Sequence, residues 1–276
     1  MDLTMATAAA ILLGMNVTLW LASLVLGKTW PVDFLWSGYP PFLAILLAYT
    51  NNDGDCHRQI VCCVLTAVWG YRLTHNFVAR GGIGHEDWRY TAMRKDFGTN
   101  FWWVSLFSVF IGQSVFMFTA SLPLFESLSD PSPLGLSDAL GGCVAVFAIL
   151  LEAIADMQMD AFILKKQLKR TEDVVLSSGL WAWSRHPNYL GEICWWVSVW
   201  MFASPHAPRW MLICPGSIIF LFTAISIKLI EDRQLKNKGD LYRSYIREVP
   251  SALLLVPPPL VRALRARSLY GSAQMQ

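Results

Sequence analysis

Long apolar runs separated by short polar clusters set the pattern of this chain. Ala6 to Leu26 carries no charged residue, and further runs extend over roughly Phe34 to Tyr49, Ile60 to Val78, Phe101 to Leu122, Leu140 to Met157, Asn188 to Ala203 and Trp210 to Ile230. A helix needs about 20 mostly apolar residues to cross the hydrocarbon core of a bilayer. The runs therefore predict an all-α, polytopic membrane helix bundle of about seven transmembrane helices. The second and sixth runs are short, and about six spans is the alternative count. The first run reads as an uncleaved span, because it is too long for a signal-peptide core and Asp2 precedes it in place of Lys or Arg.

Composition strengthens that reading: 54% hydrophobic residues, 13% aromatic residues and 13 Trp are far from the usage of a soluble domain. Lys and Arg gather in Arg80 to Lys95, Lys165 to Arg170 and Arg233 to Arg267, whereas Pro123 to Asp138 has none. With seven spans these three segments share one side, which the positive-inside rule makes cytosolic. The net charge of +2 follows from this asymmetry and implies no nucleic-acid partner. The six cysteines lack zinc-like spacing and read as small apolar side chains. His75, His85, Glu86 and Asp87 form no dense two-ligand helical motif, so no metal is expected. Residues 1–276 are read as one integral-membrane domain, and Pro257 to Pro259 as the end of its folded part.

Candidate chemistry concentrates in Ser178 to Glu192. Pro187 suits the first turn of a helix, where its missing N–H is not needed, and the apolar run after it supplies the body. On that helix Asn188 and Glu192 share a face, Tyr189 sits beside them, and Arg185 and His186 lie just outside the first turn. The free N–H groups, the helix dipole and Arg185 together make a seat for a phosphate or carboxylate. The competing account is an Arg185 that snorkels to lipid and an Asn188 that only caps. It leaves Glu192 unexplained, since an ionisable group inside an apolar run is costly.

Other polar positions carry two readings each. Arg72, Asn76 and Arg80 form one helical stripe that either snorkels or supplies charge to a bound anion. Trp181 and Trp183 either stack on a planar ring or join an interfacial belt. Asp33 is either a solvated loop carboxylate or an acid facing a substrate pocket. Asp240 is read as the N-cap of a short helix that presents Tyr242 and Tyr245 on one face and stops before Pro250, next to Glu231 at the end of the last span.

The stretch Gly179-Leu-Trp-x-Trp-Ser-Arg-His-Pro-Asn-Tyr-Leu-Gly-Glu192 resembles the signature of the steroid 5-alpha-reductase-like membrane proteins, in particular the DUF1295 branch. Glu231-Asp-x-x-Leu235, Gly239, Tyr242, Tyr245 and Val249-Pro250 resemble the C-terminal motif shared by sterol reductases and the isoprenylcysteine and phospholipid methyltransferases. Lys28 to Trp36, Trp69 to Asn76, Arg80 to Gly82 and Glu86 to Arg89 look like the same branch. The resemblance implies an NADPH-dependent reductase of the endoplasmic reticulum that passes hydride to a conjugated carbon–carbon double bond of a lipid. Residues 1–125 would then hold the substrate and 140–256 the cofactor, with its site facing the cytosol. Tyr189 or Asp33 would polarise the conjugated carbonyl, while Arg72, Asn76, Arg80, Trp181, Arg185, His186, Asn188, Tyr189 again, Glu192 and the second motif with Glu231, Tyr242 and Tyr245 would serve the dinucleotide. The alternative is a methyltransferase using S-adenosylmethionine, from which Asn188 and Glu192 together point away.

Overall fold

A computed structural model describes residues 4–261 and 263, and the described residues are helical with no strand. In chain order the helices are α1 (Met5–Leu26), α2 (Asp33–Thr50), α3 (Cys56–Ala79), α4 (Trp88–Phe97), α5 (Phe101–Ser105), α6 (Gly112–Ser121), α7 (Pro123–Ser129), α8 (Leu136–Gln167), α9 (Pro187–Ala203), α10 (Ile213–Phe220), α11 (Ile227–Lys238) and α12 (Asp240–Glu248). Wider π-helical turns join α5 to α6 over Leu106–Ile111 and α10 to α11 over Leu221–Ser226. Among the described residues, five helical stretches are long and apolar enough to cross a membrane: Met5–Leu26, Trp30–Thr50, Trp88–Ser129, Leu136–Gln167 and Arg209–Lys238. The chain thus has the make-up of an integral membrane protein. Helices α3 and α9 fall outside that set, α9 having 17 residues.

The chain divides into two compact units, one running to Val146 and including Trp196–Ile218, the other Phe147–Trp195 together with the chain from Ile219. In the first unit α2 packs along α3. Glycine makes this possible at Gly70, where a Cβ would sit 2.4 Å from the Ser37 carbonyl oxygen and 2.7 Å from Pro41 Cγ. Thr74 donates to Ser37 Oγ across the same contact at 2.8 Å, and Trp69 meets Trp196 edge-on at 5.4 Å. Asn16 of α1 donates to Ser114 of α6 at 2.7 Å, the kind of buried polar tie that joins membrane helices. At the start of α3, Asp55 caps the helix by accepting the Arg58 N–H at 2.8 Å. The buried Arg58 side chain makes a forked pair with Asp138, at 2.7 and 3.0 Å, and reaches the carbonyls of Asp130 and Ser132.

In the second unit α9 crosses α8 at Gly191, where a Cβ would lie 2.3 Å from Glu152 Cγ and 3.1 Å from the Ala148 carbonyl. Two details depart from the sequence reading. Asp240 is the first residue of α12, not its cap; Gly239 precedes it at φ 55°, a conformation glycine takes without strain. The Asp240 carboxylate instead accepts from Arg243 at 2.7 Å. Pro257 to Pro259 does not end the fold but leads into a helical turn over 258–261, closed by N–H groups of Leu260 and Val261 on the Pro257 carbonyl. Proline is tolerated there because first-turn N–H groups need no partner. The basic segment expected to run on to Arg267 passes outside the described residues after Val261, apart from Ala263.

Candidate functional site

The residues from Gly179 to His186 are bolted down before α9 begins. Gly179 turns at φ 62°, the Leu180 N–H donates to Gln158 Oε1 at 2.9 Å, and the Trp181 indole N–H donates to the Ala155 carbonyl at 3.1 Å. The backbone then pairs with the chain after α12: Arg185 N–H donates to the Ser251 carbonyl, His186 N–H to Ala252, and Val256 N–H to Trp183. Ser184 adds its hydroxyl to the Ala252 carbonyl at 3.0 Å.

This pairing sets Arg185 and His186 against Glu231. Arg185 Nε donates to Glu231 Oε1 at 2.7 Å and Nη2 to Oε2 at 3.3 Å, while Nη1 donates to the carbonyls of Val249 and Pro250, both at 2.7 Å. His186 Nε2 lies 3.0 Å from Glu231 Oε1. A carboxylate only accepts, so the proton of that bond is on the imidazole. Both basic side chains are buried, at 7% and 5% exposure, so the Glu231 carboxylate is the countercharge of a low-dielectric site.

Aromatic groups surround this centre. The His186 ring stacks on Tyr189 at 5.5 Å and 11°, and Tyr189 touches Phe222 at 4.6 Å. Tyr245 donates its hydroxyl to the Trp181 carbonyl at 2.7 Å, and Tyr242 packs against it. Burial pushes the Tyr242 phenol up to about 12, with the Glu231 charge adding to the effect, and raises Tyr245 as well. Trp181, Arg185, His186, Tyr189, Glu231, Tyr242 and Tyr245 are thus gathered in one place. Asn188 and Glu192 follow on α9, Asn188 half-buried and Glu192 buried at 5% exposure.

The remaining nominated residues belong to the first unit. Arg72 and Asn76 are half-buried on α3, and Arg80 is its exposed C-terminal cap. Asp33 opens α2, half-buried, with Arg89 and Asp87 as the charges acting on it. The sequence reading missed what stands beside it. Tyr90 is buried with Val32 in one apolar cluster and lies in the field of Asp33. Gln113 donates to the Tyr90 oxygen at 3.0 Å, and among the described residues no acceptor takes the phenol's own hydrogen. Sequence singles out Asp33, but nothing there ties it to Tyr90 and Gln113, which come from two other helices.

A second feature also escaped the sequence reading: an open cleft of about 540 Å³ between the end of α8 and the segment 170–179, with Lys165 and Arg170 in its lining.

The comparisons with known proteins agree with the resemblance carried by these motifs. Residues 19–249 match the model of DUF1295, described as a family of proteins of unknown function. The uncharacterized protein C594.04c of Schizosaccharomyces pombe is similar at 26% identity over 254 residues, spanning 82% of this chain and 73% of that protein. No solved structure matches the chain. With the match running from within α1 through the motif that holds Glu231, Tyr242 and Tyr245, the chain belongs to the DUF1295 family.

Proposed function

We propose that this chain is a membrane oxidoreductase that reduces a conjugated carbon–carbon double bond of a lipid with NADPH. The observation that carries the reading is the buried Tyr90 phenol: Gln113 donates to its oxygen, among the described residues no acceptor takes its hydrogen, and it lies in the field of Asp33. Such a phenol is suited to polarise a conjugated carbonyl, because a hydrogen bond to the carbonyl oxygen strengthens as negative charge develops there. Asp33 then holds or returns the proton. Methyl transfer to a carboxylate or an amine builds up no negative charge on a carbonyl oxygen and gives this donor no such task.

A nicotinamide supplies hydride when bound, and the donor set at the start of α9 fits its non-phosphate parts. The Asn188 amide and the Glu192 carboxylate suit a ribose or carboxamide, and Tyr189 offers a flat ring beside them. Arg185 fits less well, since its Nη1, Nε and Nη2 donate to Glu231, Val249 and Pro250. Its role on this reading is to hold the 183–186 segment where α9 starts.

The same proposal adds α3 and α9 to the five stretches to make seven spans, places the basic segments in the cytosol, and assigns substrate to residues 1–125 and cofactor to 140–256. NADPH oxidation by detergent-purified protein, offered lipids with and without a conjugated carbonyl, tests it. Tyr90→Phe is expected to lower turnover by about 100-fold, the usual scale of acid–base assistance, with NADPH affinity unchanged. Binding of S-adenosylmethionine in place of NADPH refutes it.

A further inference from the structure

Positive charge at the end of α8 lacks an obvious countercharge. Lys165 and Arg170 line the cleft of about 540 Å³, and no ion pair joins either to a carboxylate among the described residues. Lys238, closing α11, lies within electrostatic range of Lys166, which adds positive charge at this end of the second unit. The helix dipole alone accounts for Lys165 and Lys166 in the last turn of α8. It does not account for Arg170, which is beyond the helix. Lys169 holds it there at φ 53°, a left-handed conformation that side chains other than glycine rarely take. The Arg170 N–H closes the turn on the Lys165 carbonyl at 2.8 Å, bringing the two cationic residues back together.

The opposite wall is fixed too. Gln158, also in the lining, accepts the Leu180 N–H, and a Cβ at Gly179 would lie 2.5 Å from its amide oxygen. Ser177 and Ser178 bring hydroxyls, while Phe162, Val175 and Leu176 make an apolar wall. Asp173 takes the Thr171 hydroxyl at 3.0 Å and offsets part of the positive charge. Lys165 and Arg170 still outnumber it in the lining, so the cleft keeps a net positive charge to offer an anion.

We propose that this cleft binds a phosphate monoester, with Lys165 and Arg170 meeting its roughly two negative charges and the apolar wall taking the attached group. The volume lies within the usual range for small-molecule sites, about 300–1,000 Å³. Two sources share this chemistry: an adenosine 2′-phosphate and the headgroup of a lipid phosphate at the bilayer surface. If the source is the nucleotide, the cleft provides the phosphate anchor that Arg185 does not. That deepening rests on the reductase reading, whereas the site itself does not.

The test is equilibrium binding to the detergent-purified full chain of 2′,5′-adenosine diphosphate and, separately, of phosphatidic acid in phosphatidylcholine micelles. At least one probe is expected to bind, and which one identifies the source. The pair Lys165→Glu with Arg170→Glu should weaken it by at least about tenfold. The pair Lys236→Glu with Arg247→Glu, with the same charge change outside the cleft, should leave it within about twofold. Lys165→Gln with Arg170→Gln, checked for an unchanged melting temperature, should give an intermediate loss. Absence of binding by both probes, or equal losses in the two Glu pairs, overturns the proposal. NADPH oxidation is followed in the same preparations: turnover absent with either probe still bound in the cleft defeats the reductase reading alone, and turnover present with neither probe bound defeats this site alone.

Discussion

Replacing Glu231 with Gln separates a structural role for the Arg185–His186 pair from a ligand-binding one. The carboxylate is the partner of two buried bases, held at 2.7 Å from Arg185 and 3.0 Å from His186. Removing one member of a buried ion pair costs about 3–5 kcal/mol, because the other charge stays behind without compensation. Here the cost is at the lower end or below, about 2–3 kcal/mol. Glu231 keeps 18% side-chain exposure, and Arg185 retains the Val249 and Pro250 carbonyls. For a chain of this size each kcal/mol shifts melting by about 2–4 °C, so the apparent midpoint in detergent, at one fixed scan rate, should fall by about 4–12 °C. Arg185→Met should cost a similar amount, and the double variant should recover part of the sum, since no buried charge is then left alone. An E231Q protein melting within about 1 °C of wild type, yet deficient in cofactor binding, would refute the argument and return both groups to the ligand.

Two further outcomes follow from the packing and the phenols. Gly70→Ala must push α2 and α3 apart, because the new Cβ would meet a backbone carbonyl at 2.4 Å; a loss of about 1–3 kcal/mol in detergent unfolding is expected, while Gly14→Ala, with nothing within 4 Å, should show none. Tyr242 has a folded pKa raised from near 10 to about 12 by burial, so its contribution to stability is complete below pH about 10 and is lost as pH rises through about 12. Melting temperatures between those limits should therefore fall more steeply for the wild type than for Tyr242→Phe.

What the sequence made legible is what depends on near neighbours. The start of α9 at Pro187 follows from a residue whose fixed φ and missing N–H suit a first turn, and the apolar runs follow from the cost of exposing polar groups to lipid. The end of the fold was misjudged for a related reason. Three prolines argue against continuing a helix but equally permit starting one, and composition does not distinguish the two. The π-helical turns at Leu106–Ile111 and Leu221–Ser226 have no sequence signal of their own, yet one lies just before Gln113 and the other contains Phe222.

The candidate site was legible as a set of residues and not as a set of roles. Arg185, His186 and Glu231 stood out as charges at the mouths of apolar runs, and the structure gathers them. Roles depend on which hydrogens and lone pairs are already taken, and those partners lie far along the chain: Glu231 is 46 residues from Arg185, and Val249 is 64. Once the Arg185 donors are assigned to these partners, the most conspicuous cation of the motif becomes a clasp. Lys165 and Arg170, which have no ion pair among the described residues, are in the sequence two members of an ordinary basic run. On the proposed reading the charged ligand is held apart from the buried cluster, because a ligand that entered the cluster would have to displace Glu231 from Arg185 and leave a carboxylate buried without its countercharge.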